Sequence, residues 1–423
     1  MNGSYQLQSF TRNKGSEVTR LKAQVELFFD KEFDLYKKNG LKDGMDIIEC
    51  GSGPGYLIKS IIERFPACNA TALEIDPFLF SVLTENSRSG GEQLYYPVNE
   101  SIYETKLPEN SFDFVITRLV IEHLEEPLKA IYELNRILKP GGKLVIVSND
   151  FAYHLLTYPV IPELHEMYDA YCKSRFSEGG NPLIGRQLPI YLENSNFEKI
   201  SFEIVTAHSK LSGDETFLKA ENVNISKNLV EAGFLNRNSL ATLVEKWFEM
   251  LKDPNHVFYR QLFVVGGVKT RKGTPDFYSG NKEKSLKGKV NTEPSERPAN
   301  KLELQREKFK NLITKYQRTP TINGAHLSDD YTAEKNPSLN THSTTFYDIN
   351  RIESILFTVW KDILKNTSIT IYDNYFDIGG DSVLIPEIVA RLSDEYSIKI
   401  RILDIFDNPS IRQLSEYINK NNL

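Results

Sequence analysis

Cysteine is scarce: Cys50, Cys68 and Cys172 are the three in 423 residues, and no two form a C-x-x-C pair. That scatter offers no disulfide framework and no thiolate zinc site, and it suits reduced thiols. Long apolar runs are missing too. No stretch approaches the roughly 18 uninterrupted apolar residues of a membrane span, and the N-terminus lacks the apolar segment of a signal peptide. Positive charge is in deficit, with 51 Lys and Arg against 57 Asp and Glu for a net charge of −6, which argues against nucleic acid as the main partner. No metal-ligand cluster, cysteine nucleophile or Ser-His-Asp order stands out. The expectation is a cytoplasmic protein with no metal, no membrane partner and no nucleic acid.

What is present is enough for more than one folded unit. A 40% hydrophobic content over this length supports one large core and a smaller second domain. Charge divides the chain in three. Residues 271–345 hold 14 Lys and Arg against 9 Asp and Glu, while residues 346–423 hold 8 against 12. A basic stretch rich in Lys, Ser, Asn and Pro between two acidic blocks reads as a flexible linker. The expected boundaries are therefore 1–270, 271–345 and 346–423. Within the linker, Lys301–Tyr316 carries Leu302, Phe309, Leu312, Ile313 and Tyr316 at helical spacing.

The first block opens with helical periodicity over 16–38, where Val18, Leu21, Val25 and Phe28 share a stripe. Met45 to Ile58 then reads as strand, glycine turn and helix, with Gly51, Gly53 and Gly55 allowing a sharp turn and close approach to a ligand. Such a turn alone also suits nicotinamide and flavin enzymes. A second strand ends in Glu74, about 20 residues on, where a carboxylate can accept hydrogen bonds from ribose hydroxyls. After it come Ser111–Arg118, Ile121-Glu-His123-Leu and Leu138-Lys-Pro-Gly-Gly ahead of a β-run.

This series, in this order, resembles the class I S-adenosylmethionine-dependent methyltransferases over about residues 41–206. The resemblance implies an α/β fold, a Rossmann-like doubly wound seven-stranded sheet, with the last two strands near Phe202–Val205 and Val257–Val268 as an antiparallel edge hairpin. It implies that Glu49 and the Gly51, Gly53 and Gly55 turn lie beside the methionine portion of S-adenosyl-L-methionine. Glu74 would bind the ribose, Ile75 would face the adenine, and Glu100 and Ser101 would edge it. Many relatives have Gly-Asp where this chain has Asn99-Glu100, so the adenine contact could fall on either. Arg118 follows the fourth strand at the ligand edge of the sheet. The aromatic, histidine-bearing segment from Asp150 to Tyr171 occupies the place where acceptor pockets are commonly built.

The last block centres on Asp373-Asn-Tyr-Phe-Asp-Ile-Gly-Gly-Asp-Ser382-Val-Leu. Ser382 opens an amphipathic helical pattern, a position where backbone N–H groups and the helix dipole favour a phosphate. The string resembles the attachment site of acyl and peptidyl carrier domains over about 346–418. It implies a small all-α four-helix carrier with 4′-phosphopantetheine on Ser382, loaded by a phosphopantetheinyl transferase.

Together the two resemblances imply methyl transfer to a small-molecule thioester tethered on Ser382 in nonribosomal peptide or polyketide biosynthesis. Cargo-loading and downstream assembly-line enzymes would be its partners, since no adenylation, ketosynthase or condensation domain is present. Two other readings stay open: a methyltransferase acting on a free small molecule, and an inactive scaffold presenting the carrier. Should the acceptor need a general base, His123, His154 and His165 are the candidates.

Overall fold

The computed structural model describes residues 14–221, 225–270, 349–366, 368–378, 380 and 384–421. The linker expectation, the helix at 301–316 and Ser382 itself lie outside the described residues.

The methyltransferase-like block begins with α1 (Lys14–Lys38), whose Glu17 in the first turn and Lys37 and Lys38 in the last turn match the helix dipole. Its inner stripe, with Val25, Phe28, Phe33 and Tyr36, is buried. Alternation of strand and helix follows: β1 (Asp46–Cys50), α2 (Tyr56–Arg64), β2 (Asn69–Leu73), α3 (Pro77–Asn86), β3 (Tyr96–Val98), β4 (Phe112–Arg118), α4 (Pro127–Ile137) and β5 (Leu138–Ser148). Ile47, Ile48 and Cys50 in β1 and Phe114, Val115 and Ile116 in β4 are fully buried without alternation, as expected for central strands of a parallel sheet covered on both faces. Asp76 caps α3 by accepting hydrogen bonds from the Phe78 and Leu79 amides at 2.9 and 3.0 Å, and Pro77 presets the first turn.

β6 (Leu155–Tyr158), α5 (Pro162–Ser177), α6 (Leu188–Glu193), β7 (Phe197–His208), α7 (Asp214–Ala220), α8 (Ile225–Glu231), α9 (Arg237–Lys252) and β8 (Val257–Lys269) complete this part. The order across the sheet is β3-β2-β1-β4-β5-β8, with β6 and β7 also on β8. β8 is antiparallel to β5 and to β7, so the expected antiparallel pair is present, with β7 at the edge. Among the described residues the sheet has eight strands where seven were expected. The additional strand is β6. β7 runs along one edge of the 13-residue β8, and β5 takes the other edge only from Phe263 to Val268. That leaves backbone groups of Val257–Arg260 open on the edge β5 has left, and Leu155–Tyr158 pairs there.

The C-terminal block is described by itself. Its described residues form four helices, α10 (Ile349–Leu364), α11 (Ile385–Tyr396), α12 (Ile402–Asp407) and α13 (Ile411–Asn421). Ile352, Leu356, Val359, Trp360, Ile388, Leu392, Ile405, Leu414 and Ile418 are fully buried among them. Asp404 holds the start of α12, accepting from the Arg401 amide at 2.7 Å and from the Tyr417 hydroxyl at 2.9 Å. In the loop before α11, Tyr375 packs edge-on against Trp360, with ring centroids 4.9 Å apart. A Cβ on Gly380 would lie 2.3 Å from the Tyr375 carbonyl, so only glycine fits.

Candidate active site

The chain runs outward from β1 through β2 to β3 and in the other direction through β4 and β5. The crevice between β1 and β4, at the carboxyl ends of the strands, is therefore where an open α/β sheet binds ligands. A cavity of about 270 Å³ sits there. Its walls come from the segments that follow β1 to β5, together with α1, α5, Glu221 and Arg260.

The glycine turn forms one side. Gly51, Gly53 and Gly55 all have positive φ, at 77°, 53° and 80°. Gly51 and Gly53 line the cavity, and a Cβ on Gly51 would lie 2.4 Å from Val120. Gly55 does not line it. A side chain there would strike Leu83 and the Tyr95 hydroxyl at 2.5 Å, so Gly55 serves packing at the start of α2.

Glu74 braces this turn. Its carboxylate accepts from the Gly53, Ile75 and Asp76 amides, each at 2.8 Å, and it faces the cavity. Burial raises its pKa against the pull of those amides. Ile75 lines the cavity and remains 42% exposed. Of the two residues competing for the next position, Glu100 is on the wall, accepting from the Lys106 amide at 2.7 Å. The Asn99 amide is instead turned to the Glu74 carbonyl at 2.7 Å. Ser101 and Ile102 continue that wall.

Glu49 closes the other end of the turn, accepting from the Ile58 amide at 3.0 Å. Burial, opposed by Arg118, lifts its pKa to about 8. Arg118 also lines the cavity, yet its guanidinium is committed: two nitrogens grip the Glu32 carboxylate at 2.9–3.1 Å and one reaches the Gln24 carbonyl at 3.0 Å. Tyr36 donates to the same carboxylate at 2.7 Å. Arg118 thus fastens α1 to the sheet at the cavity wall. Leu119, at φ 56°, carries a left-handed backbone into that wall.

The opposite wall is aromatic and polar. Phe151 stacks on His154 at 4.4 Å and packs against Tyr171 at 4.4 Å. The His154 Nδ1 faces Asn149 Oδ1 at 3.1 Å, and its Nε2 faces Glu221 Oε2 at 3.3 Å. Arg260, 1% exposed, donates to Glu221 Oε1 at 2.9 Å and to Asn149 Oδ1 at 3.4 Å. Burial would raise Glu221, but Arg260 and His154 outweigh it and hold the carboxyl at about 2. Burial and the Arg260 charge lower His154 to about 4, against Glu221. Geometry pulls the other way, since both ring nitrogens face acceptors. The neutral ring is the state that burial beside a guanidinium favours, with one nitrogen donating.

The three histidines expected as base candidates separate. His154 and His123 line the cavity, whereas His165 lies on the exposed face of α5 and takes no part. Burial lowers His123 to about 3. Asn149, Glu221 and Arg260 belong to the site although no motif marks them. Glu221 and Arg260 come together only through folding. Asn149 alone carried a signal, as the residue leaving the carboxyl end of β5.

The residues present fit S-adenosyl-L-methionine. Glu49 and Glu74 would supply acceptors for an ammonium and for ribose hydroxyls, and Ile75, Leu79 and Ile102 would supply an apolar slot for a base. Among the described residues no group of three or more His, Cys, Asp and Glu is placed to hold a metal. No described helix is long and apolar enough to cross a membrane.

Comparison with known proteins agrees with this division. Residues 48–146 match the family model described as a methyltransferase domain, and residues 354–418 match that of the phosphopantetheine attachment site. The chain is similar to bacitracin synthase 2 of Bacillus licheniformis, 44% identical over 71 residues, covering 17% of this chain and 3% of that protein. It is similar to an uncharacterized methyltransferase of Schizosaccharomyces pombe, 30% identical over 151 residues, covering 34% and 52%. A third relative is the malonyl-[acyl-carrier protein] O-methyltransferase of Paenibacillus sp. (strain JDR-2), 25% identical over 236 residues and covering 52% and 82%. The chain spans about half or less of the first two relatives. It carries a methyltransferase domain that includes residues 48–146 and, C-terminal to it, a phosphopantetheine attachment domain that includes residues 354–418.

Proposed function

We propose that this chain transfers a methyl group from S-adenosylmethionine to an intermediate tethered through phosphopantetheine on Ser382, in nonribosomal peptide or polyketide biosynthesis. The observation that carries the reading is the pairing of one cavity, with its glycine turn, Glu49, Glu74 and a separate aromatic-polar wall, with one carrier domain on the same chain. The similarity to a synthase at the carrier, and to a methyltransferase named for a carrier-bound substrate, supports it. We place the methyltransferase domain at 1–270 and the carrier at 346–423.

S-adenosylmethionine supplies a methyl group on a positively charged sulfur, ready for direct displacement. The protein has to hold donor and acceptor in line and keep water out, which can account for much of the acceleration. Glu74 fixes the glycine turn and offers its remaining lone-pair site to the ribose. The Phe151, His154 and Tyr171 wall receives the acceptor. The partners this reading calls for are a phosphopantetheinyl transferase and cargo-loading and downstream assembly-line enzymes in the cytoplasm.

The direct test is intact-mass analysis. Holo protein loaded with candidate acyl groups and given S-adenosylmethionine should gain one methyl on the cargo, and Ser382→Ala protein should accept no phosphopantetheine. Methylation of free thioesters only would favour a free-molecule methyltransferase. S-adenosylmethionine binding with no acceptor ever methylated would favour a scaffold.

A further inference from the structure

The methyltransferase and carrier blocks fall within one compact unit of the chain, and they meet at α9, against which α11 and α12 of the carrier pack. α9 lies in turn on α5, tied to it by Lys246 to Glu163 at 2.5 Å and by Ser239 to Glu166 at 2.9 Å. α5 brings Tyr171 to the acceptor wall. On the carrier side, α11 begins three residues beyond Ser382. Phe406 of α12 stacks on Phe376, in the run that leads to that serine, with ring centroids 5.2 Å apart. The contact therefore joins the acceptor side of the methyltransferase to the attachment end of the carrier.

Two charge pairs of opposite sense join the faces. Arg237 Nη1 in α9 donates to Asp407 Oδ1 in α12 at 2.8 Å. Glu215 in α7 is held below the usual carboxylate range by a hydrogen bond from Lys219 and, beyond that, by the charge of Lys365 on the carrier. A plus-to-minus pair beside a minus-to-plus pair accepts one orientation of the carrier and repels the reverse. Arg237 is the first residue of α9, where the helix dipole disfavours a cation, and Asp407 is the last of α12, where it disfavours an anion. Each charge works against its own helix and is favourable when the two helix ends meet. Such a local conflict marks residues kept for a contact rather than for the fold of either block.

We propose that the start of α9, with Glu215 of α7, is the surface on which this chain's own carrier docks to present its cargo, and that Arg237 and Asp407 are the recognition pair. This rests on the methyltransferase and carrier reading above and names the surface through which the two halves cooperate. The pair is exposed on both sides, at 68% and 49%, so it contributes little by itself. A weak contact suits a carrier that also has to leave for loading and downstream enzymes. Attachment to the same chain supplies an effective concentration up to about the millimolar range, so a weak contact is enough to populate the docked state.

The test uses the full chain and needs no cargo. Glu215→Cys with Lys365→Cys removes the second pair and puts a thiol on each face, while Cys50 and Cys68 are buried. A short bis-maleimide should join the two new thiols within one chain, read as a cross-linked peptide by mass spectrometry. In that background Arg237→Glu should slow cross-linking by about two- to tenfold, and adding Asp407→Arg should restore the rate. Asp407→Arg alone gives the same slowing from the carrier side should Arg237→Glu fail to fold. No cross-link, a rate that neither single reversal changes, or a double variant that stays slow overturns the docking surface and leaves the methyltransferase reading standing. S-adenosylmethionine binding, followed by calorimetry, should be the same in all variants, and its absence from the wild type removes that reading and this inference with it.

Discussion

Replacing Glu74 tests the donor half of the site. An ionised carboxylate has about four lone-pair positions, and three are taken here by the Gly53, Ile75 and Asp76 amides at 2.8 Å. One remains for a ribose hydroxyl. The second ribose contact expected from the sequence therefore has to share an oxygen already in use. A hydrogen bond to a charged group contributes about 1.5–3 kcal/mol, so Glu74→Ala should weaken S-adenosylmethionine by about 10–150-fold. The same substitution leaves three amides without their acceptor and should lower the stability of the domain by about 1–3 kcal/mol. Glu74→Gln separates the effects: Oε1 can still serve Ile75 and Asp76, while an amide NH₂ would oppose the Gly53 N–H. Calorimetry on folded variants, with thermal unfolding alongside, measures both. A folded Glu74→Ala protein that binds S-adenosylmethionine as tightly as the wild type would refute the assignment of this carboxylate.

Further outcomes follow from the same structure. Glu49 has its folded pKa raised by burial to about 8, so its contribution to stability is full at low pH and lost as pH rises from about 4.5 to 8; Glu49→Gln should flatten that decline in urea unfolding. Over the same range S-adenosylmethionine should bind the wild type more tightly as Glu49 ionises, and a pH-independent affinity would argue against its facing the ligand's ammonium. Gly55→Ala, forced into φ 80° and against Leu83 and Tyr95, should cost at least about 2 kcal/mol in unfolding measurements. Gly380→Ala should slow loading of Ser382 by displacing Tyr375, read by the rate of phosphopantetheine incorporation. If methylation acts within one chain, severing it near Gly280 should slow methylation of loaded carrier at low micromolar protein, and excess carrier should restore the rate.

The strand, glycine turn and acid-ended second strand were legible from local pattern, since Glu49 and the glycines are close in sequence and Glu74 follows the next strand; their assignment to a cofactor came from the resemblance and not from spacing. The part played by Gly55 was not legible, because three glycines with positive φ look alike in sequence while only two line the cavity. Arg118 was placed correctly at the sheet edge, but its partner Glu32 lies 86 residues away, and no local pattern announces such a pair. The acceptor wall was legible as a region and not as residues. Glu221, Arg260 and Asn149 meet only after β8 has folded back between β5 and β7. β6 was missed for a similar reason: Leu-Leu-Thr-Tyr is too short to declare itself, and it is a strand because β8 offers an edge there.

That shared edge has a consequence for how acceptor choice can change. Asn149 to His154 spans six residues between two strands that both pair with β8. Its ends are fixed by backbone hydrogen bonds, which tolerate almost any side chain. Ala152 and Tyr153, the exposed positions of this segment, can therefore be changed without disturbing the sheet or the donor half, whereas Asn149, Asp150, Phe151 and His154 are buried. New acceptor preferences are most accessible to selection, or to a protein engineer, in this short bridge.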